Sequence, residues 1–179
     1  GDESIVDEGS VPKPQTPYSL NKLQIEQDLA QLAGENFSPI ALRFATIYGS
    51  SARIRFDVVI NMLCGMAVTQ GHIVLNSDGQ AWRPNLHLSD ACEAVHRAFL
   101  SHYDSESLLI LNVGSDEANR QILDLANTIA KHAGGCPVKF LTENPDLDKT
   151  GLVGDRKINE GRDSRTYRVA FDRISEVFP

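Results

Sequence analysis

The sequence contains no GxGxxG or GxxGxxG run, and its one adjacent glycine pair, Gly134–Gly135, follows a helical stretch instead of opening one. Nothing within the chain therefore offers a glycine-rich turn that seats a pyrophosphate on a helix N-terminus. Cysteine is scarce: Cys64, Cys92 and Cys136 lie far apart and form no CxxC pair. That spacing excludes a disulfide framework and the common zinc patterns, and it fits a reducing, cytoplasmic compartment. The three read as small, buried apolar side chains. The five histidines show no HxxxH or HExxH spacing, so no metal is expected. No apolar run reaches membrane-spanning length, and the acidic opening GDESIVDEGSVPKPQ lacks the features of a secretory signal. A membrane partner is not expected. Basic residues (17) are outnumbered by acidic ones (24), for a net charge of −7. This excludes a broad nucleic-acid footprint, although a few converging arginines can still hold an anionic ligand.

What is present is ordinary for a globular domain: 179 residues, 41% hydrophobic and 23% charged, enough for a real core. Prolines 12, 14 and 17 among polar residues make 1–17 a loop. A helix is expected over 18–33, closed by Gly34. Tyr18, Lys22, Ile25, Leu29 and Leu32 share one arc of it, and Leu20, Leu23 and Ala30 another, so two buried sides are expected. The continuous apolar character of SPIALRFATIYG (38–49) suits one buried parallel strand. A helix over 57–69 and a strand over 72–76 follow. Pro84 argues against a regular central strand in WRPNLHL (82–88). Ser89 or Asp90 can cap a helix reaching about residue 102. Further strands are expected at 108–114 and 137–141, with a helix from Asn119 to about 132 between them. Residues 142–165 read as a loop, before a short strand and a helix that close the chain. Alternating strands and helices imply an α/β fold with parallel pairing.

Chemistry enters with Tyr18 and Lys22 in PYSLNK, four apart and so on one helix face. An ammonium beside a phenol favours the phenolate, which can then exchange a proton with a sugar hydroxyl. YxxxK alone is a weak signal, equally met by a surface pair. LRFATIYG (42–49), DGQAWRPNLHLSDACEAV (78–95), LNVGS (111–115) and DSRTYRVAF (163–171) follow in order, and between the first two lies Arg53-Ile54-Arg55-Phe56-Asp57 running to Asn61. Read from the residues alone, Arg53 and Arg55 equally suit a solvated loop pair, and Trp82 suits a core position.

Taken together, this string resembles the extended short-chain dehydrogenase/reductase family of NAD-dependent nucleotide-sugar epimerases and dehydratases, from Tyr18 almost to the end. The resemblance implies part of a Rossmann-type parallel sheet plus a smaller C-terminal substrate-binding domain. It divides the chain into a loop (1–17), a remnant of the dinucleotide-binding domain (18–50) and a mainly substrate-binding region (51–179), with 89–115 returning to the Rossmann-type core. It implies Tyr18 as acid/base and Lys22 as its partner and ribose anchor. Thr46, where many relatives carry Asn, would lie near the cofactor. Asn61, Arg83 and Arg165 would contact the substrate, the two arginines through its diphosphate, since guanidinium forks suit phosphate oxygens. Asp90 reads as a helix cap, and His87 as ordering the local backbone. The cofactor would be NAD or NADP and the partner a nucleotide-diphosphate sugar. A homodimer through the 18–33 helix is expected. The chain would be the C-terminal portion of such an enzyme, inactive by itself without the glycine-rich turn and without the Ser or Thr that precedes the tyrosine. A non-catalytic binding or regulatory protein of the same fold is the alternative.

Overall fold

The computed structural model describes residues 5–141 and 166–178. It is an α/β structure dominated by parallel strand pairs. The opening segment is not all loop: β1 (Ile5–Val6) pairs in parallel with a late strand, β9 (Arg168–Val169). Helix α1 (Pro17–Leu32) begins one residue before the expected start, with Pro17 at its first position. Thr16 caps it: its Oγ1 accepts from the Ser19 amide at 3.1 Å, and Ser19 Oγ accepts from the Thr16 amide at 3.0 Å. Its far end is extended at Ala33, so Gly34 does not serve as a left-handed cap.

The apolar run 38–49 is two strands, not one. Strand β2 (Ile40–Phe44) pairs in parallel with β6 (Leu109–Val113), and β3 (Thr46–Tyr48) pairs in parallel with β5 (Trp82–His87). Ala45 is the single residue between them. The expectation for Pro84 is also corrected. Strand β5 is the central strand of its sheet, flanked by β3 and by antiparallel β7 (Asn119–Gln121). Ile122 N–H donates to the Ala81 carbonyl at 3.1 Å. Bonded pairs therefore fall at 81 and 83, leaving Pro84 in a non-bonded position opposite Asn119. Pairing with β3 starts one residue later, at Asn85. Proline's missing donor is never called on.

Strand β7 takes Asn119 to Gln121, so α4 (Ile122–His132) opens three residues later than its polar start suggested. Helix α2 (Val59–Gln70) ends on Gly71, whose φ of 69° is the left-handed cap that glycine tolerates. Strand β4 (Ile73–Leu75) pairs in parallel with β8 (Val138–Phe140). Helix α3 (Leu88–Leu100) is capped by His87, not by Ser89 or Asp90. His87 Nδ1 accepts from the Ser89 amide at 3.3 Å, while Ser89 Oγ donates to Asp90 Oδ1 at 3.1 Å. Helix α5 (Asp172–Val177) closes the description. Among the described residues no helix is long and apolar enough to cross a membrane.

Two cores result. Leu63 and Ala67 of α2, Ile73 and Leu75 of β4, and Ala126 and Ala130 of α4 form the larger one. Leu63 and Ile73 are fully buried, each contributing about 1.5–3 kcal/mol. Leu86, Ala91, Ala94 and Val113 form the second, beneath α3. The cysteines are free, but Cys64 and Cys92 are exposed and Cys136 is half-buried. Alanines, not these cysteines, fill the small inward positions of α2 and α3. The expected stripes of α1 are also rotated. Ser19, Leu23, Glu26 and Leu29 are half-buried, whereas Tyr18, Leu20, Ile25 and Leu32 are exposed.

The NVG stretch leaves no room for a side chain at Gly114. An added Cβ would lie 2.5 Å from two ring atoms of the buried Phe171. Gly114→Ala should therefore lower unfolding stability by about 1–3 kcal/mol through overpacking. Denaturant melts measure this, and an unchanged midpoint would show that the Phe171 ring is free to move aside.

Candidate functional site

Where the chain crosses from β2 to β3, the carboxyl end of β2 opens onto a cavity of about 880 Å³. Carboxyl ends of parallel strands are where α/β sheets bind ligands. The cavity wall takes every residue from Arg43 to Gly49, with Tyr18 from α1, Asn112 from β6 and Val169 from β9. The following loop adds Ser51, Arg53 and Arg55. Polar donors and aromatic rings thus converge on one concavity of ligand-binding size.

Of the residues singled out from sequence, Tyr18, Thr46 and Asn61 line this cavity. Tyr18 is 73% exposed at the first turn of α1. Lys22 does not line the cavity. Its Nζ sits 5.4 Å from the centroid of the Tyr18 ring, on the ring's face, in cation–π range. The i, i+4 spacing has brought the pair together as expected.

Asn61 is 8% exposed and holds backbone at two points. Its Oδ1 accepts from the Gly49 amide at 3.1 Å, and its Nδ2 donates to the Arg55 carbonyl at 3.0 Å. One amide thereby fixes both ends of the 49–55 loop. Gly49, at φ 126°, adopts a conformation that side-chain-bearing residues rarely reach, and His87 closes over it. His87 also meets Tyr48 edge-on, with centroids 5.4 Å apart.

Arg83 is buried at 8% exposure and lies outside the cavity wall, though its neighbour Pro84 is in it. Its Nη1 donates to the Trp82 carbonyl at 2.7 Å, and its guanidinium lies 5.5 Å from the Tyr167 ring centroid. Tyr167 does line the cavity. Arg165 lies outside the described residues.

Sequence reasoning left three cavity arginines without a role. Arg55 Nε and Nη2 bond the two Asp57 oxygens at 3.0 and 2.6 Å on an exposed loop. The Asp57 carboxylate raises the Arg55 pKa above the ordinary guanidinium value, with a further small contribution from Tyr18. Arg53 lies two residues earlier; the RxRxD spacing was the available signal for both. Arg43 makes the better-shielded fork: Nε to Glu26 Oε1 at 2.9 Å and Nη2 to Glu26 Oε2 at 2.6 Å. Glu26 raises the Arg43 pKa, burial opposes it, and Glu8 adds to it. Glu8 itself accepts from the Asn112 amide at 2.7 Å.

A family model described as the NAD dependent epimerase/dehydratase family matches residues 1–114. Several solved structures share the fold. MoeE5 in complex with UDP-glucuronic acid and NAD is 22% identical with a TM-score of 0.72, over 99% of this chain and 54% of that one. UDP-glucuronic acid 4-epimerase from Bacillus cereus, in complex with UDP-glucuronic acid and NAD, is 22% identical with a TM-score of 0.73, over 98% and 50%. dTDP-glucose 4,6-dehydratase from Bacillus anthracis str. Ames, in complex with NAD, is 17% identical with a TM-score of 0.70, over 99% and 50%. The chain thus spans about half the length of these solved structures.

Because Asn61 satisfies both the Gly49 amide and the Arg55 carbonyl, Asn61→Ala should loosen the whole 49–55 loop. The expected loss is about 1–3 kcal/mol of stability, with faster amide hydrogen exchange at Gly49. Unchanged Gly49 exchange would show that the loop holds its shape without this bracket.

Proposed function

The chain belongs to the NAD-dependent epimerase/dehydratase family, and from that premise we propose that the protein of which it forms part converts a nucleotide-diphosphate sugar by NAD(P)-dependent epimerisation or dehydration. The observation that carries this reading is the convergence of Tyr18, Thr46, Asn61, Arg53 and Arg55 on one cavity of about 880 Å³. That volume suits a ligand of nucleotide-sugar size.

The residues present fit one end of a nicotinamide cofactor. Lys22 carries a flexible ammonium donor beside Tyr18, suited to ribose hydroxyls, and Thr46 adds a hydroxyl at the cavity wall. The glycine-rich turn for the pyrophosphate is absent from this sequence and would come from elsewhere in the protein. NAD(P), when bound, supplies the hydride acceptor. Tyr18 takes the proton of the sugar hydroxyl as the carbonyl forms at that carbon, and gives it back when the carbonyl is reduced. Lys22 holds a positive charge against the face of the Tyr18 ring. Arg53 presents its guanidinium to the diphosphate, which a planar fork suits, while Arg55, forked to Asp57, adds positive charge at the same wall. Arg83 stands next to the cavity-lining Pro84, with its guanidinium against the ring of Tyr167. Asn61 keeps the arginine-bearing loop closed on the cavity.

The same reading makes the protein a homodimer through α1, whose Leu20, Ile25 and Leu32 are exposed. Ile25 and Leu32 share one arc of the helix and Leu20 lies on another, so α1 exposes apolar surface that a partner copy would cover.

Two measurements follow. Tyr18→Phe keeps the ring and removes the ionisable hydroxyl, so turnover of nucleotide sugar by the intact protein should fall about 10²–10⁴-fold with the fold retained. Near-parent turnover would remove Tyr18 from the chemistry. For assembly, Leu20→Glu with Leu32→Glu should halve the mass of the intact protein in light scattering. An unchanged mass would place the interface elsewhere.

A further inference from the structure

Lys22 has two possible partners on its own helix. Tyr18 lies four residues before it and Glu26 four residues after it, and both spacings bring side chains together. Glu26 is the one carboxylate on α1 three or four positions from Lys22. An ammonium and a carboxylate so placed attract each other, and the lysine cannot serve Glu26 and the Tyr18 ring equally. Yet Lys22 Nζ sits over Tyr18. The reason lies on β2. Arg43 engages both oxygens of Glu26, at 2.9 and 2.6 Å, in a fork whose two side chains are only 26% and 18% exposed. A bidentate guanidinium satisfies a carboxylate better than a single ammonium can.

We propose that Arg43 is a positioning residue that occupies Glu26 and so leaves Lys22 to Tyr18. This rests on the reading of Tyr18 as the acid/base. Arg43 acts on the tyrosine through two intermediaries, Glu26 and Lys22, and not as a substrate ligand. The neighbouring charges agree with the arrangement. Glu8 faces Arg43 from the N-terminal segment but is tied to the Asn112 amide at 2.7 Å. Arg55 also interacts electrostatically with Tyr18 and is itself forked to Asp57. Without Arg43, Glu26 becomes a half-buried carboxylate with no compensating charge, and Lys22 is the cation one turn away.

The idea separates from a plain strut by the sign of a second substitution. In Arg43→Gln, Lys22 should turn to Glu26 and leave Tyr18. In Arg43→Gln with Glu26→Gln, the competing carboxylate is gone and Lys22 should return. NMR of the protein with labelled lysine and tyrosine reads this directly through contacts between the Lys22 ε-methylene and the Tyr18 ring. The expected pattern is contact present in the parent, lost in the single variant and regained in the double. Contact retained in Arg43→Gln, or lost in both, overturns the proposal. Should Arg43→Gln fail to fold, Arg43→Lys keeps the charge but frees one Glu26 oxygen. It should weaken the contact, and an unchanged contact again overturns the proposal. Turnover of the intact protein should follow the same order, with kcat down roughly tenfold in the single variant and recovered in the double. The NMR pattern without any effect of Tyr18→Phe on turnover would retain the geometry and reject Tyr18 as the acid/base. A large Tyr18→Phe effect without the NMR pattern would do the reverse.

Discussion

Between Phe44 and Thr46 a single residue, Ala45, carries the chain from a parallel pair with β6 to a parallel pair with β5. Its amide donates to the Val113 carbonyl at 3.0 Å, so it completes one ladder as it leaves for another. Two sheets that part at one point leave a concavity between their diverging ends. The cavity wall runs through every residue from Arg43 to Gly49 for that reason. Everything else at the site is attached to this divergence. Helix α1 precedes β2 and brings Tyr18 to the wall; the 49–55 loop follows β3 and brings Arg53 and Arg55; the 167–171 segment, tied to β6 by Asn112 Nδ2 donating to the Ala170 carbonyl, adds Tyr167, Val169 and Phe171.

The side chains that hold this geometry are mostly not those that face the cavity as reactive groups. Asn61 bonds two backbone atoms six residues apart, one through each end of its amide. Arg43 is committed to Glu26, and Asn85 donates to the Arg83 and Ala118 carbonyls. Buried polar groups of this kind stabilise less by their own bonds than by the penalty of leaving any partner unmade. They give the cavity a defined shape, with the largely exposed Tyr18 at its wall and Lys22 against the face of its ring.

Local signals were legible in the sequence. The YxxxK spacing gave the Tyr18–Lys22 contact, and the LLILNVG run is the buried strand β6. What the residue pattern could not give depends on partners far along the chain. The apolar run 38–49 has no break in composition, because the switch at Ala45 is made by two different neighbouring strands and not by a turn residue. Pro84 argues against a central strand only when its register is unknown. Here it falls at a non-bonded position, and the rule is not violated. The short strand Ile5–Val6 exists only against Arg168–Val169. Glu26 and Arg43 are 17 residues apart, and nothing in their spacing announces a fork. The inward face of α1 was misjudged because hydrophobicity marked Tyr18 and Ile25, while the half-buried face uses Ser19 and a carboxylate whose charge Arg43 meets.

The account stands on the cavity at the sheet divergence being the place where a nucleotide-diphosphate sugar binds. Titrating the protein with UDP-glucose while following backbone amide shifts tests this most directly. The account expects the shifts to concentrate on Thr46 to Gly49 and Arg53 to Arg55, with Tyr18 among them. Shifts confined instead to the small groove between α3 and α5, lined by Asp90, Glu93 and Ile174, or spread evenly over the surface, would contradict it.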